Sequence, residues 1–270
     1  MKNNIMIMNF SGVYEMQGLK TALEKKVDSV VAEAENMAAK PVITQLDFQD
    51  IPGTNCYCDS LAEEEIGKRI IPFGPEGLHF LDSGNYHYLT KLWLELVKEP
   101  FELLVFDHHT DMQKPMVEGM TSCGDWAAQV IEQNENLEQL ILVGASEADI
   151  QQINVKNQSK LITFSAEELR NNSGREKLDL IETDVPFYIS IDKDILDKHY
   201  IETNWSQGHM SLGMLEHLLK FFLKNKKIIG VDICGECQIG LPFPEYIEAE
   251  EKNAETNIEL YEYIGRYMGK

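Results

Sequence analysis

Short apolar runs alternate with helical patterns along the whole chain. Ile5 to Phe10 predicts a first strand. From Tyr14 to Ala39, helix formers carry apolar residues at Leu19, Leu23, Val27, Val30 and Val31, the spacing of one helical face. Pro41 to Phe48 predicts a second strand, entered through a proline, which has no N–H to lose at a strand's first position. Asp50 to Tyr57 is a loop on its Pro, Gly and Asn content. Asp59 or Ser60 then caps a helix through Arg69, with Glu63, Glu64 and Glu65 near its positive end.

Leu78 to Leu81 predicts a third strand, and Tyr88 to Lys98 a helix with Leu89, Leu92, Trp93, Leu96 and Val97 on one face. Glu102 to Phe106 is the fourth strand, and a helix opens at Ser122 or Cys123 and runs to about Asn134. Leu140 to Val143, Leu161 to Phe164 and Val185 to Ile191 are the fifth to seventh strands. Leu212 to Leu223 is helical by spacing, Lys227 to Ile233 is the eighth strand, and Glu250 to Met268 forms a closing helix. Apolar strands of this length between helices are the signature of a parallel sheet covered on both faces. The pattern therefore predicts a three-layer α/β/α fold with a central parallel sheet of about eight strands. With no linker or internal repeat, residues 1–270 read as a single domain.

Charge changes the picture by exclusion. The chain carries 24 Lys+Arg against 45 Asp+Glu, a net −21, which repels nucleic acid and anionic membrane. No run of 18 apolar residues exists, so no transmembrane helix is expected, and the N-terminus lacks a signal-peptide cleavage pattern. Five cysteines, an odd number, fit reduced thiols and a cytoplasmic location. The expected partner is a small-molecule substrate.

Ligands of open α/β sheets sit outside the carboxyl ends of the strands. The third strand ends in Ser83-Gly84-Asn85-Tyr86-His87, the fourth in Asp107-His108-His109-Thr110-Asp111, the seventh in Asp192-Lys193-Asp194 and the eighth in Asp232-Ile233-Cys234-Gly235-Glu236. Alternation along an extended segment turns Asp107, His109 and Asp111 one way and His108 the other. Clustered carboxylate and imidazole at one sheet edge can hold two divalent ions, and this donor set suits Mn²⁺, Fe²⁺ or Zn²⁺ better than Ca²⁺.

These motifs resemble the arginase/agmatinase ureohydrolases, which share the arginase–deacetylase fold. Asp107, His109 and Asp111 match the family's Asp-x-His-x-Asp motif, and Ser190, Asp192, Asp194 and Asp197 match its Ser-x-Asp-x-Asp-x-x-Asp motif. His87 matches the histidine of its Gly-Gly-Asp-His motif with one residue inserted. The resemblance implies two Mn²⁺ ions, with Zn²⁺, Fe²⁺ or Co²⁺ as alternatives. His87, Asp107, Asp111 and Asp192 would bind one, and Asp107, His109, Asp192 and Asp194 the other. It implies a hydroxide nucleophile between the ions, oriented by Asp111, attacking the central carbon of a guanidino or amidine compound. It also implies a homo-oligomer.

Two departures stand out. The family's Asp-x-x-Glu is lengthened to Asp232…Glu236, where Glu236 would neutralise a cationic substrate. The segment Thr121 to Trp126 lacks the family's proton-shuttling histidine, which leaves Asp125, Cys123 or water as general acid. Rival readings are a deacetylase-like amidohydrolase with one Zn²⁺ and a metal-binding but inactive regulatory or scaffold protein.

Overall fold

The computed structural model describes residues 2–33, 40–115, 117, 119–181 and 184–268, with backbone alone over 30–33. Its strands are β1 (Asn4–Asn9), β2 (Val42–Asp47), β3 (Tyr57–Cys58), β4 (Gly77–Phe80), β5 (Phe101–Phe106), β6 (Thr121–Ser122), β7 (Leu137–Val143), β8 (Leu161–Phe164), β9 (Phe187–Asp192) and β10 (Ile228–Cys234). Eight of them form one sheet in the order β2-β1-β4-β10-β9-β5-β7-β8, and every pairing in it is parallel. All eight sheet strands coincide with an apolar run of the sequence. The inner strands β4, β10, β9 and β5 are buried along their whole length, and such strands carry continuous hydrophobic stretches that periodicity finds readily.

The helices are α1 (Val13–Gln17), α2 (Leu19–Glu33), α3 (Ser60–Ile70), α4 (Leu89–Leu94), α5 (Trp126–Gln133), α6 (Glu147–Ile150), α7 (Ala166–Asn171), α8 (Leu212–Asn225) and α9 (Phe243–Gly265). Strand alternation sorts the core into two layers. Ile5, Leu78, Phe106, Ile189, Ile191 and Ile233 face a layer with Leu19 and Leu23 of α2, Leu215 and Leu219 of α8, and Leu260 of α9. Leu103, Val105 and Tyr188 face a second layer with Ile66 of α3, Trp93 of α4, and Trp126 and Val130 of α5. Each large apolar side chain so buried contributes about 1.5–3 kcal/mol.

Local chemistry explains where element ends depart from the periodic reading. The single helix expected over 14–39 is broken at Gly18, whose φ of 62° interrupts the turn between α1 and α2. Its final stretch, 34–39, and the side chains of Val30 and Val31 lie outside the described residues. Asp59, not Ser60, caps α3, accepting from Leu61 N and Ala62 N at 3.0 and 2.9 Å. The helix expected from Ser122 begins only at Trp126, because Thr121–Ser122 pair antiparallel with Tyr57–Cys58. The closing helix starts at Phe243, seven residues before the expected Glu250, with Pro244 in its first turn, where a missing N–H costs nothing.

Candidate metal centre

The four strands whose ends carry candidate ligands are neighbours at the middle of the sheet, in the order β4-β10-β9-β5. Pairing continues past two of them, since Ser83 still bridges Glu236. Asp82 joins the ends of β1 and β4. Its carboxylate accepts from Phe10 N and Ser11 N, both at 2.9 Å, from Ser11 Oγ at 2.7 Å and from Ser83 N at 2.7 Å. That anchor sets the start of the 3₁₀ turn Gly84–Tyr86, which delivers His87.

His87 Nδ1 lies 3.1 Å from Asp107 Oδ2, 2.9 Å from Asp111 Oδ2 and 3.6 Å from Asp192 Oδ2. Its Nε2 is 2.9 Å from Ser190 Oγ, itself 2.9 Å from Thr90 Oγ1, so the ring is oriented from behind. On the other side, His109 Nδ1 is 2.8 Å from Asp194 Oδ2 and 3.6 Å from Asp107 Oδ1, and its Nε2 meets Ser206 Oγ at 2.8 Å. The donors thus gather as His87, Asp107 and Asp111, and as Asp107, His109 and Asp194, with Asp107 common to both. Asp192 accompanies His87 and Cys234 in a third group. Backbone donors hold the carboxylates. Asp192 Oδ1 accepts from Asp194 N at 2.9 Å, Asp107 Oδ1 from His109 N at 2.6 Å, and Asp194 Oδ1 from His108 N at 3.0 Å. Trp126 Nε1 donates to Asp111 Oδ2 at 2.6 Å.

The donor set fits divalent cations on two counts. First, His87 Nδ1 and Asp107 Oδ2 are fully buried and lack a hydrogen-bond partner, although they are 3.1 Å apart. A buried polar atom left unpaired costs about 1–3 kcal/mol, and a cation between these two would satisfy both. Two ligands about 2.1 Å from one cation stand about 3.0–3.4 Å apart, which is the spacing found. Second, the carboxylates crowd one another. Burial, and then the charge of Asp107, pushes Asp111 up to about 7 and raises Asp192. Asp194 is pushed well up by burial, then by the charges of Asp192 and Asp107. A dication removes this repulsion and inverts the shifts.

A cavity of about 310 Å³ opens over the donors, lined among others by Cys56, Tyr57, Lys114, Cys123 and Trp205. Asp107, His109, Asp111, Asp192 and Asp194 line it too, while His87 lies beneath them, 1% exposed. Cys123, one of the general-acid candidates, thus lines the cavity, and Cys56 joins it there. His108 turns its ring to a separate groove containing Gly144, Gly208 and His209, in line with strand alternation.

The structure corrects the roles expected of Asp125 and Glu236. Asp125 is absent from the cavity lining. Its carboxylate accepts from Ser122 N at 2.8 Å and Gln129 Nε2 at 3.0 Å, tying the loop before α5 to the helix. Glu236 is fully buried against Lys193, with Gln17, Asn253 and Asn257 around it, and does not line the cavity. Asp197 caps the backbone N–H of His199 rather than reaching the cavity. The periodic reading missed Trp126 as the partner of Asp111 and Cys234 beside Asp192, whose Sγ donates to Asp192 Oδ2 at 3.1 Å. Cys234 carried a signal, standing at the end of a strand that already supplied a motif.

The lengthened spacing from Asp232 to Glu236 is absorbed at Gly235, which has φ 95°. A Cβ there would stand 2.5 Å from Asp192 Oδ1 and 2.8 Å from Lys193 N. The Gly235→Ala substitution must therefore displace Asp192, and removing such support of a ligand costs about 10–100-fold in metal affinity. Competition against a chromophoric chelator should show a loss in that range, with the far-ultraviolet circular dichroism retained.

The arginase family model matches residues 67–236, which is more than half of the chain. An uncharacterized protein from Thermotoga maritima is 30% identical over 250 residues, covering 93% of this chain and 86% of that protein. Among solved structures, arginase from Bacillus subtilis aligns with a TM-score of 0.68 at 12% identity, covering 100% of this chain and 99% of that one. Formimidoylglutamase from Bacillus subtilis aligns with a TM-score of 0.64 at 15% identity, covering 99% and 88%. A hypothetical agmatinase from Burkholderia thailandensis aligns at 0.61 and 15% identity, covering 96% and 86%. On the extent of the family match and the shared three-layer fold, the chain belongs to the arginase family of ureohydrolases, enzymes that hydrolyse carbon–nitrogen bonds outside peptides.

Proposed function

We propose that this chain, as one domain, is a dinuclear ureohydrolase that cleaves a linear C–N bond in a small guanidino, amidine or formimidoyl compound. The observation that carries the reading is the pair of buried, unpartnered atoms His87 Nδ1 and Asp107 Oδ2 at the meeting point of four carboxylates. His87, Asp107, Asp111 and Asp192 would hold one cation, and Asp107, His109, Asp192 and Asp194 the other. Oxygen and imidazole donors of this kind accept Mn²⁺ and also Zn²⁺, Fe²⁺ or Co²⁺. Bound there, such ions supply a water of lowered pKa and an electrophilic pull on the substrate.

The chain's own residues do the rest. Asp111, clamped by the Trp126 N–H, lines the cavity and takes the proton of the attacking water. With no imidazole at the place of the family's shuttle, and Asp125 turned away, Asp111 returns that proton to the leaving nitrogen. Ser190 and Thr90 hold His87 with Nδ1 toward the site. Trp205 and Tyr57 line the cavity beside the donors and offer aromatic surface to a substrate. The five free thiols suit the reducing cytoplasm.

The test is turnover of guanidino, amidine and formimidoyl amines by protein purified without chelator. At least one should release urea, formamide or ammonia, with the activity abolished by chelator and restored by a divalent ion. Fully loaded protein that cleaves only acylated amines would replace this reading with the deacetylase-like one.

A further inference from the structure

Three ligand-type atoms on the His87 side include a sulfur. The side chains of His87, Asp192 and Cys234 bring one ligand atom each within 4.8 Å of one another, and all three residues are buried. Cys234 and Asp192 are register partners across β10 and β9, so their side chains leave the sheet on one face. Cys234 Sγ stands 3.1 Å from Asp192 Oδ2. Just beyond it, Gly235 N and Glu236 N donate to Asp82 O at 3.1 and 3.2 Å, which turns the chain and pins Cys234 in place. Facing it is His87 Nδ1, buried and without a hydrogen-bond partner. The His109 side differs: its group consists of Asp107, His109 and Asp194, with no sulfur.

We propose that Cys234 Sγ is a further ligand of the cation on the His87 side, beside His87 Nδ1 and a carboxylate oxygen of Asp192. The two halves of the centre are then chemically unlike. Thiolate selects borderline or soft ions, whereas carboxylate and imidazole alone also accept Mn²⁺. The His87 side therefore takes an ion of the zinc or cobalt class in preference to manganese, and the His109 side does not discriminate in this way. On binding, the S–H bond that now points at Asp192 is broken, an S–metal bond forms, and the proton leaves to solvent. This inference rests on the dinuclear reading above.

The experiment loads metal-free protein with Co²⁺ and records its absorption. Visible ligand-field bands report cobalt at the centre, and a near-ultraviolet thiolate-to-cobalt charge-transfer band reports sulfur ligation. The native protein should show both. The Cys234→Ser variant should keep the visible bands, lose the charge-transfer band, and lose roughly 10-fold or more of its preference for Zn²⁺ over Mn²⁺. Visible bands without charge transfer in the native protein would overturn the inference and leave the metal centre standing. So would a charge-transfer band that survives in Cys234→Ser. Failure to take up cobalt at all would overturn both. X-ray absorption of the zinc-loaded native protein needs no variant: a sulfur neighbour of zinc is expected, and a shell of oxygen and nitrogen alone would sink the inference.

Discussion

Asp192→Asn is expected to move stability and metal binding in opposite directions. The substitution keeps the shape of the side chain and an oxygen for the Asp194 N–H, which Asp192 Oδ1 accepts at 2.9 Å. It removes one charge from a crowded, buried site. Burial, and then the charge of Asp107, raises the Asp192 carboxyl above its ordinary value. A folded-state pKa above the unfolded one means the carboxyl stabilises the fold only below the unfolded value, near 3.9, and loses that contribution as pH rises through the raised value. At neutral pH the ionised Asp192 of the metal-free protein is therefore destabilising. Metal-free Asp192→Asn should melt above metal-free native protein. With divalent ion present the order should reverse, because Asn cannot supply the shared negative charge. Since outer partners of a ligand are worth about 10–100-fold in affinity, loss of the ligand charge itself should lower affinity and turnover by roughly 100-fold or more. Equal melting shifts with and without metal would contradict this account of the crowding.

Glu236→Ala should give the largest loss of stability. Lys193 and Glu236 are both fully buried and form an ion pair. Lys193 Nζ also donates to Asn257 Oδ1 at 2.7 Å, and Glu236 accepts from Gln17 Nε2 at 2.7 Å and Asn257 Nδ2 at 2.8 Å. Burial works against the ionised Glu236, but the Lys193 charge together with the hydrogen bonds from Lys193, Asn257 and Gln17 outweighs it and holds the carboxyl below its ordinary value. Removing the carboxylate strands a buried ammonium, which costs about 3–5 kcal/mol. For a chain of this length the melting temperature should fall by roughly 5–10 °C. The double variant Lys193→Met with Glu236→Leu removes both charges and should recover most of the loss. Lys193 lies between Asp192 and Asp194, so the single variant should also weaken metal binding, while substrate affinity per loaded centre stays unchanged. A fall in substrate affinity alone, without loss of stability, would restore the substrate contact expected from the sequence.

The contrast between these two residues shows what a linear reading can reach. The sheet was legible because its inner strands are buried on both faces and stand out as apolar runs between helices. The ligands at the strand ends were legible for a related reason: parallel strands bring their carboxyl ends to one edge, so residues distant in sequence can be grouped by position alone. Alternation placed His108 away from His109 for the same geometric reason. Glu236 was misjudged because its buried partner, Lys193, lies between two ligands and looks like a surface charge in sequence. Asp125 was misjudged because Thr121–Ser122 form a two-residue strand, too short for any period, which turns the following carboxylate back into its own loop. Gly18 ended a helix whose apolar spacing continued through it, since spacing does not report φ. Trp126 is buried, and its part in the site lies in contacts that periodicity does not report: its indole N–H is 2.6 Å from Asp111 and its ring lies 4.7 Å from that of His87.

The most direct test counts metal. Protein purified without chelator and reloaded with excess divalent ion should retain two equivalents per chain after gel filtration, the number implied by the His87 and His109 groups sharing Asp107. Asp192→Asn treated identically should retain less than one. Native protein that retains no ion, or only one, would contradict the dinuclear centre.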